Sequence, residues 1–175
     1  MRQNQRASIT GIGSYLPNKV LTNYDLEKMV DTSNDWIIQR TGIKERRIVE
    51  NGVTTSDLAT HASLRAMEDA GVSPKDLDMI ITSTITPDHI FPSTSCYIQQ
   101  KIGATRACAF DILAACAGFI YAMSIGQSFI NSGAMKTILV VGAECLSKIT
   151  DYTDRTTCVL FGDGAGAVVI QGNPI

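Results

Sequence analysis

Residues 111–119, Asp-Ile-Leu-Ala-Ala-Cys-Ala-Gly-Phe, join a short apolar run to a helix-like sequence through a single cysteine. The apolar run predicts a buried strand ending near Leu113, and the sequence after Cys116 predicts a helix. The first turn of a helix carries unpaired N–H groups and partial positive charge, which favour the nucleophilic thiolate form of cysteine. Small residues flank Cys116, so another molecule can approach its sulfur. The stretch therefore predicts a cysteine presented between a strand and a helix, as in a nucleophile elbow, although it lacks the Gly-x-Ser-x-Gly sequence.

Cys116 has two interpretations. It is either a reactive nucleophile or a small buried hydrophobic residue, which is the most frequent state of a free cysteine. A nucleophilic cysteine usually needs a base, and the chain has only His61 and His89. His61 falls inside a predicted helix and His89 in a loop between prolines, and neither is marked as a base. The sequence contains no further feature that supports a cysteine protease. The shortage of partners predicts an incomplete chain.

Strands and helices alternate on both sides of this stretch. Strands separated by helices form a mostly parallel sheet covered on both faces. No helix is predicted between the last two strands, so the fifth strand is expected to run antiparallel. The sequence predicts one α/β domain over residues 1–175, with a five-stranded mixed sheet and helices on both faces. The predicted strands are 7–14, 79–85, 107–113, 137–142 and 165–171, and the longer helices are 55–70, 94–102 and 117–131.

The composition is that of a globular protein, with 175 residues, 45% hydrophobic content and a net charge of −2. This charge predicts no general attraction to nucleic acid or to a membrane surface. The five cysteines are odd in number and form no CxxC pair, which argues against a disulfide framework or a zinc site and favours a reducing cytoplasm. The uncharged run 112–135 is long enough to span a bilayer, but its polar residues and alanines predict a buried helix instead.

Other parts of the chain contain residue types that can bind a nucleotide. Trp36 and Arg40 are four residues apart on one predicted helix face, where an aromatic ring and a guanidinium can hold a planar base and its phosphates. Core packing of Trp36 beside a surface arginine is the alternative. Arg155 is a loop arginine that fits either a phosphate contact or solvation. The glycines of 11–13 lie within a predicted strand, and those of 162–166 predict a tight turn, so neither segment indicates a nucleotide-binding loop.

Taken together, several blocks of the chain resemble β-ketoacyl-acyl-carrier-protein synthase III, the condensing enzyme that starts type II fatty acid synthesis and has the thiolase fold. The blocks occur in the family's order and extend over nearly the whole chain. They are Ile9–Pro17 (ITGIGSYLP), Asp35–Ile43 (DWIIQRTGI), Phe91–Ser93 (FPS), Ala114–Phe119 (AACAGF) and Gly162–Ala167 (GDGAGA). The resemblance implies that the chain is the N-terminal half of such an enzyme, with one half of the thiolase fold.

The resemblance also implies a role for individual residues. Cys116 matches the cysteine that is acylated by acetyl-CoA or another acyl-CoA primer. The positions matched to coenzyme A are Trp36 and Arg155, which sandwich the adenine, Arg40, a phosphate contact, and Thr32, a polar contact. Those matched to the acyl pocket are Leu146, Phe161 and Phe91, the last reaching across a homodimer into the partner's pocket. The implied partners are acyl-CoA and malonyl-acyl carrier protein, with no metal and no cofactor beyond the coenzyme A thioester.

The chain departs from the family in length, because members are about twice as long and carry the catalytic histidine and asparagine in their second half. Neither His61 nor His89 matches that histidine. Thr156 stands where a glycine often follows the arginine. We therefore expect the chain alone not to perform decarboxylative condensation. Two alternatives remain: a non-catalytic half or subunit that needs a partner chain to cover its apolar face, and a related thiolase-fold synthase with another acyl-CoA primer.

Overall fold

The computed structural model describes residues 5–174 and consists of a five-stranded mixed sheet, a two-stranded sheet and five α-helices within that range. The strands are β1 (Gln5–Tyr15), β2 (Lys19–Thr22), β3 (Glu45–Ile48), β4 (Met79–Ser83), β5 (Cys108–Ile112), β6 (Thr137–Cys145) and β7 (Asp163–Pro174). The helices are α1 (Asn23–Leu26), α2 (Asn34–Thr41), α3 (Thr55–Ala70), α4 (Thr94–Ile102) and α5 (Gly118–Asn131). Three short 3-10 turns cover Pro74–Asp76, Ala115–Ala117 and Leu146–Lys148.

The large sheet has the strand order β1-β7-β6-β4-β5. Strand β4 pairs in parallel with both β5 and β6, whereas β7 is antiparallel to β6 and to β1. The parallel pairs are joined through helices, and the chain passes from β6 to β7 without one, so β7 returns in the opposite direction. The predicted five-stranded mixed sheet and its antiparallel fifth strand are confirmed.

Both faces of the sheet are covered, as predicted. Successive side chains of a strand point to opposite faces, and the central strands alternate between two apolar cores. On one face Ile80 and Leu139 pack with the small-residue side of α3 and with α4. On the other face Ile81 and Val140 pack against α5. The long apolar runs of the central strands are therefore buried on both sides, which is typical of a sheet between helix layers.

Helix α3 begins and ends where the sequence indicates. The Thr54 side chain accepts a hydrogen bond from the Asp57 N–H, the Asp57 carboxylate accepts one from the Thr54 N–H, and Gly71 closes the helix with φ +65°. The helix crosses β1 so closely that a Cβ at Gly13 would overlap the backbone at Ala62. The glycines of 11–13 thus allow close packing of α3 on a strand. They do not form a nucleotide-binding loop, as the sequence predicts.

The basic composition of residues 44–48 predicts an exposed segment, and this local prediction is wrong. Residues 45–48 form β3, which pairs with β2, and Arg46 is only 4% exposed. Its guanidinium donates hydrogen bonds to the Asn23 side-chain oxygen and to the Val159 carbonyl. Burial lowers the pKa of Arg46. Arg46 therefore joins the small sheet to the apolar cluster around Leu26. The alternation of buried and exposed side chains in a four-residue strand is too short a pattern to predict this burial from the sequence.

Most of the uncharged run 112–135 lies in a 3-10 turn and in the 14 residues of α5, and only its first residue belongs to β5. Ala122, Gly126 and Ile130 face the sheet and are buried. Ile120 and Tyr121 are exposed, so the prediction of a buried helix holds for one side of α5 only. Within residues 5–174 no helix combines the length and apolarity needed to cross a bilayer.

Candidate active site

Cys116 lies at the junction that its sequence predicts. Strand β5 ends at Ile112, the 3-10 turn Ala115–Ala117 carries the cysteine, and α5 begins at Gly118. The preceding residue, Ala115, has φ +45°, a left-handed conformation that residues with a Cβ seldom adopt. The first residue of α5, directly after this turn, packs closely on the end of β4, so that a Cβ at Gly118 would overlap the Ser83 hydroxyl. The result is an exposed thiol on a tightly constrained turn.

A cavity of about 480 Å³ opens beside this thiol. Its walls come from the turn itself, from the loop after β4, from the end of β6 and from the segment between β6 and β7. Leu146 and Phe161, which the resemblance places in the acyl pocket, both line it together with Cys116. The other lining residues are Ile85, Ala115, Glu144, Ile149, Thr150, Asp151 and Thr157. The cavity is largely apolar and suits an acyl chain more than a charged group.

Asp163 holds one wall of this cavity in place. Its buried carboxylate accepts hydrogen bonds from the Val49 N–H (2.7 Å) and from the Ser147 N–H (2.8 Å) and hydroxyl (2.5 Å). Ser147 follows Leu146 in the 3-10 turn, so Asp163 fixes the turn that presents Leu146. The sequence predicts a tight turn at 162–166, and this prediction is wrong, because Asp163 to Gly166 belong to β7 and pair with β6. The available signal for Asp163 was an aspartate between two glycines.

A second carboxylate, Glu144, also lines the cavity and was missed in the sequence. It accepts hydrogen bonds from the Ile85 N–H (2.9 Å) and from the hydroxyls of Thr84 (3.2 Å) and Thr86 (2.5 Å). Glu144 is the one charged residue in the otherwise apolar strand β6, and that was the available signal. The carboxylate therefore has a defined set of donors beside the cysteine turn.

Trp36 and Arg155 are brought together although they are far apart in sequence. The guanidinium carbon of Arg155 lies 5.2 Å from the centroid of the Trp36 ring, and Arg155 also donates to the Asp31 carbonyl at 2.8 Å. Trp36 lies in α2, whose N-terminus is capped by the Ser33 side chain. The indole is half-buried against the small cluster that includes Leu26, so part of the alternative interpretation, core packing, also holds.

The other residues assigned to coenzyme A lie on the same helix or just before it. Arg40 is exposed in the last turn of α2, one turn after Trp36. The Thr32 hydroxyl is buried and has no hydrogen-bond partner among the residues that the structure describes. Phe91 is apart from this group, since it lies in the loop between β4 and α4, is 87% exposed and does not line the cavity beside Cys116 of its own chain.

Neither histidine lies in the cavity beside Cys116. The His61 ring stacks on Tyr15 with centroids 4.4 Å apart, and the His89 ring lies tilted against Tyr97 at 5.6 Å. Within residues 5–174, no cluster of three or more His, Cys, Asp or Glu side chains is arranged to hold a metal ion. Of the remaining thiols, Cys145 and Cys158 are buried, and burial raises the pKa of both.

The fold and the cysteine turn define a class, since solved structures of the same architecture are thiolase-fold condensing enzymes. The 3-oxoacyl-[acyl-carrier-protein] synthase III of Aquifex aeolicus VF5 superposes with a TM-score of 0.92 at 56% identity, over 95% of this chain and 53% of that one. The priming β-ketosynthase of the R1128 polyketide pathway superposes with a TM-score of 0.96 at 38% identity, over 100% of this chain and 52% of that one. The chain thus has one half of the thiolase fold.

Within this class, the chain belongs to the β-ketoacyl-[acyl-carrier-protein] synthase III family. A family model described as 3-oxoacyl-[acyl-carrier-protein (ACP)] synthase III matches residues 110–174, which include Cys116. The synthase III of Caldanaerobacter subterraneus subsp. tengcongensis is 62% identical over 164 residues, 94% of this chain and 50% of that protein. That of Xanthomonas campestris pv. campestris is 60% identical over 165 residues, 94% of this chain and 51% of that protein. The chain spans about half the length of the curated relatives it matches.

Proposed function

We propose that this chain provides the acyl-accepting half of a β-ketoacyl-acyl-carrier-protein synthase III, which condenses an acyl-CoA primer with malonyl-acyl carrier protein. The observation that carries the proposal is the exposed Cys116 thiol at the mouth of an apolar cavity lined by Leu146 and Phe161. The sulfur forms a bond to the primer's carbonyl carbon, the carbon–sulfur bond to coenzyme A breaks, and coenzyme A leaves with a proton. The acyl chain then occupies the cavity, where its apolar surface is removed from water.

Coenzyme A binding is proposed for the Trp36 surface. The Trp36 ring and the Arg155 guanidinium provide two flat faces between which an adenine can stack once the guanidinium moves away from the ring. Arg40 supplies a positive charge one helical turn away for a phosphate, and Thr32 supplies a polar contact. In the described structure Arg155 is held near the ring by Asp31, so the ligand must compete with that ion pair.

The condensation step needs groups that residues 5–174 do not place at Cys116. Neither His61 nor His89 lines the cavity. We propose that a histidine and an asparagine from a second half stabilise the enolate formed as malonyl-acyl carrier protein loses carbon dioxide. The carbanion equivalent then attacks the acyl group on Cys116. By this proposal the 175-residue chain alone accepts an acyl group and does not condense it.

Acyl transfer to the purified chain tests the proposal directly. After incubation with acetyl-CoA, intact mass spectrometry is expected to show one added acetyl group, and peptide mapping is expected to place it on Cys116. Release of the group by neutral hydroxylamine identifies a thioester. A chain that stays unmodified, or that carries acetyl groups on Cys108 as readily as on Cys116, contradicts the proposal.

The primer is proposed to be acetyl-CoA, and a specific observation supports a second candidate. The priming β-ketosynthase of the R1128 polyketide pathway has the same fold over the whole length of this chain. A related synthase that takes another acyl-CoA primer would use the same cysteine turn and coenzyme A surface. Initial acylation rates with acetyl-, butyryl- and hexanoyl-CoA separate the two candidates, because the preferred chain length should react fastest.

Pairing with another chain is proposed to cover two exposed features. Ile120 and Tyr121 of α5 and Ile9 and Ile12 of β1 are exposed apolar side chains that suit a second half or a partner chain. Strand β5 is an edge of the sheet, and an edge can be extended by a second copy in a homodimer. Gel filtration tests pairing, since a monomer argues against it.

A cytoplasmic location is also proposed, since the five free cysteines are consistent with a reducing cytoplasm.

The Arg155→Ala variant is expected to bind coenzyme A about tenfold more weakly, because one face of the adenine site is lost and stacking contributes about 1–2 kcal/mol. Trp36 is the only tryptophan, so quenching of its fluorescence measures binding at this surface. The matched control is Arg106→Ala, which removes an exposed arginine elsewhere. Equal affinities in the two variants would place the adenine somewhere other than Trp36.

A further inference from the structure

The cavity wall beside Cys116 includes a stretch where the main-chain pairing of the sheet stops. The ladder between β4 and β6 ends at the pair Ser83 and Gly142. Strand β6 continues through Ala143 and Glu144 to Cys145, and the main chain of these residues pairs only with β7, on the other side of β6. Thr84 donates its N–H to the Ile112 carbonyl of β5. The chain after β4 therefore has no main-chain ladder to hold it against β6 where it borders the cavity.

The side chain of Glu144 takes the place of that ladder. One carboxylate oxygen accepts the Ile85 N–H at 2.9 Å, and the other accepts the hydroxyls of Thr84 at 3.2 Å and Thr86 at 2.5 Å. Both threonines are buried, and the Thr86 hydroxyl in turn accepts the Cys145 N–H at 2.9 Å. An ionised carboxylate can only accept hydrogen bonds, and the three groups that contact Glu144 can all donate one.

This network acts on the cavity through Ile85. Ile85 is 39% exposed and lines the cavity with Cys116, so its side chain is available to contact an occupant. The segment before it also supports the nucleophile, since Ser83 packs against Gly118 at the start of α5. The spacing between the Ile85 wall and the Cys116 turn is thus set by a short piece of chain that Glu144 anchors.

We infer that Glu144 is a positioning residue whose carboxylate holds Ile85 in the wall of the acyl cavity and so sets which acyl chains reach Cys116. The acyl nature of the occupant rests on the proposed function. Glu144 itself need not touch the reacting atoms. Its effect is to keep the cavity formed before a chain enters, which lowers the cost of ordering the wall on binding.

Alkyl methanethiosulfonates test this inference without coenzyme A. The Cys116 sulfur bonds to the reagent's alkylthio sulfur, the bond to the sulfonyl group breaks, methanesulfinate leaves, and the thiol proton passes to buffer. The rate at Cys116 is measured by peptide mass spectrometry for the hexyl and the methyl reagent. The rate at exposed Cys108, outside the cavity, serves as the internal reference. The hexyl-to-methyl ratio then reports how well the cavity receives a chain.

In Glu144→Gln the hexyl-to-methyl ratio at Cys116 is expected to fall about fivefold, because the amide has only one acceptor oxygen. It cannot accept the Ile85 N–H and the two threonine hydroxyls together, so the wall is no longer preformed. The methyl rate is expected to change by less than about twofold, since a small reagent needs little of the cavity. In an Ile85→Ala background the same substitution is expected to add nothing, because the side chain that Glu144 positions is absent.

A ratio unchanged by Glu144→Gln, or a fall of the same size in the Ile85→Ala background, overturns the inference. If Glu144→Gln does not fold, Glu144→Asp takes its place, since its shorter side chain withdraws the carboxylate from the Ile85 N–H and should lower the ratio similarly. Failure of the proposed function is a separate result. A chain that acetyl-CoA does not acylate still gives a hexyl-to-methyl ratio, so the two failures are distinguishable.

Discussion

Replacing Cys116 with alanine is expected to abolish acyl transfer from acetyl-CoA, with a fall of about a thousandfold or more, because no other group at the cavity can form the thioester. The remaining exposed thiol, Cys108, lies on β5 outside the cavity. The buried thiols of Cys145 and Cys158 are inaccessible, and burial raises the pKa of each, which keeps them protonated. Intact mass spectrometry over time measures the loss.

Two companion measurements separate lost chemistry from lost structure. Cys116 is exposed, so its truncation removes little packing, and the thermal midpoint and the coenzyme A affinity at Trp36 should both match the unaltered chain. Cys116→Ser is expected to be almost as inactive, because a hydroxyl needs a base and neither histidine lines the cavity. Acetylation of the alanine variant at the original rate would show that another residue accepts the acyl group.

Replacing Arg46 is expected to destabilise the fold strongly. Arg46→Ala should lower the free energy of unfolding by about 3 kcal/mol. The buried guanidinium donates to the Asn23 side chain and to the Val159 carbonyl, and without it both acceptors lose their partner away from water. Arg46→Met keeps much of the volume and should recover part of the loss, which separates packing from hydrogen bonding. Urea unfolding with an unchanged slope measures the difference.

The neighbouring arginine provides the matched control. Arg47 is partly exposed and forms a surface ion pair with Glu45 at 3.0 Å. Surface pairs of this kind contribute little, so Arg47→Ala should cost less than about 1 kcal/mol. If the two alanine variants unfold at the same urea concentration, the buried network around Arg46 does not stabilise the fold.

Local signals in the sequence were sufficient for most of the architecture. The capping box at Thr54 and the glycine at 71 set the limits of α3, and helix α4 also has the predicted bounds. Alternating apolar runs and intervening helices predicted the five strands and the reversal of the last one. Such signals act over a few residues, through capping, side-chain periodicity and glycine conformation, so a single sequence contains them.

The short elements were harder because their signals are weak. Four residues of β3 carry three charged side chains, which suggested an exposed segment. Arg46 is buried only because β2 pairs with β3 and places the guanidinium beside Asn23 and Val159. No local pattern gives that arrangement, since its partners come from remote parts of the chain.

The sequence by itself determined the strand, the turn and the helix that present Cys116, because each depends on neighbouring residues. Only the tertiary structure decided what faces that cysteine. The sheet order brings the ends of β4 and β6 together, so Ile85, Glu144 and Leu146 meet at one cavity although no sequence spacing relates them to Cys116. The contact between Trp36 and Arg155 arises in the same way. A nucleophile's position is a local property, whereas a cavity is formed by segments that only the fold brings into contact.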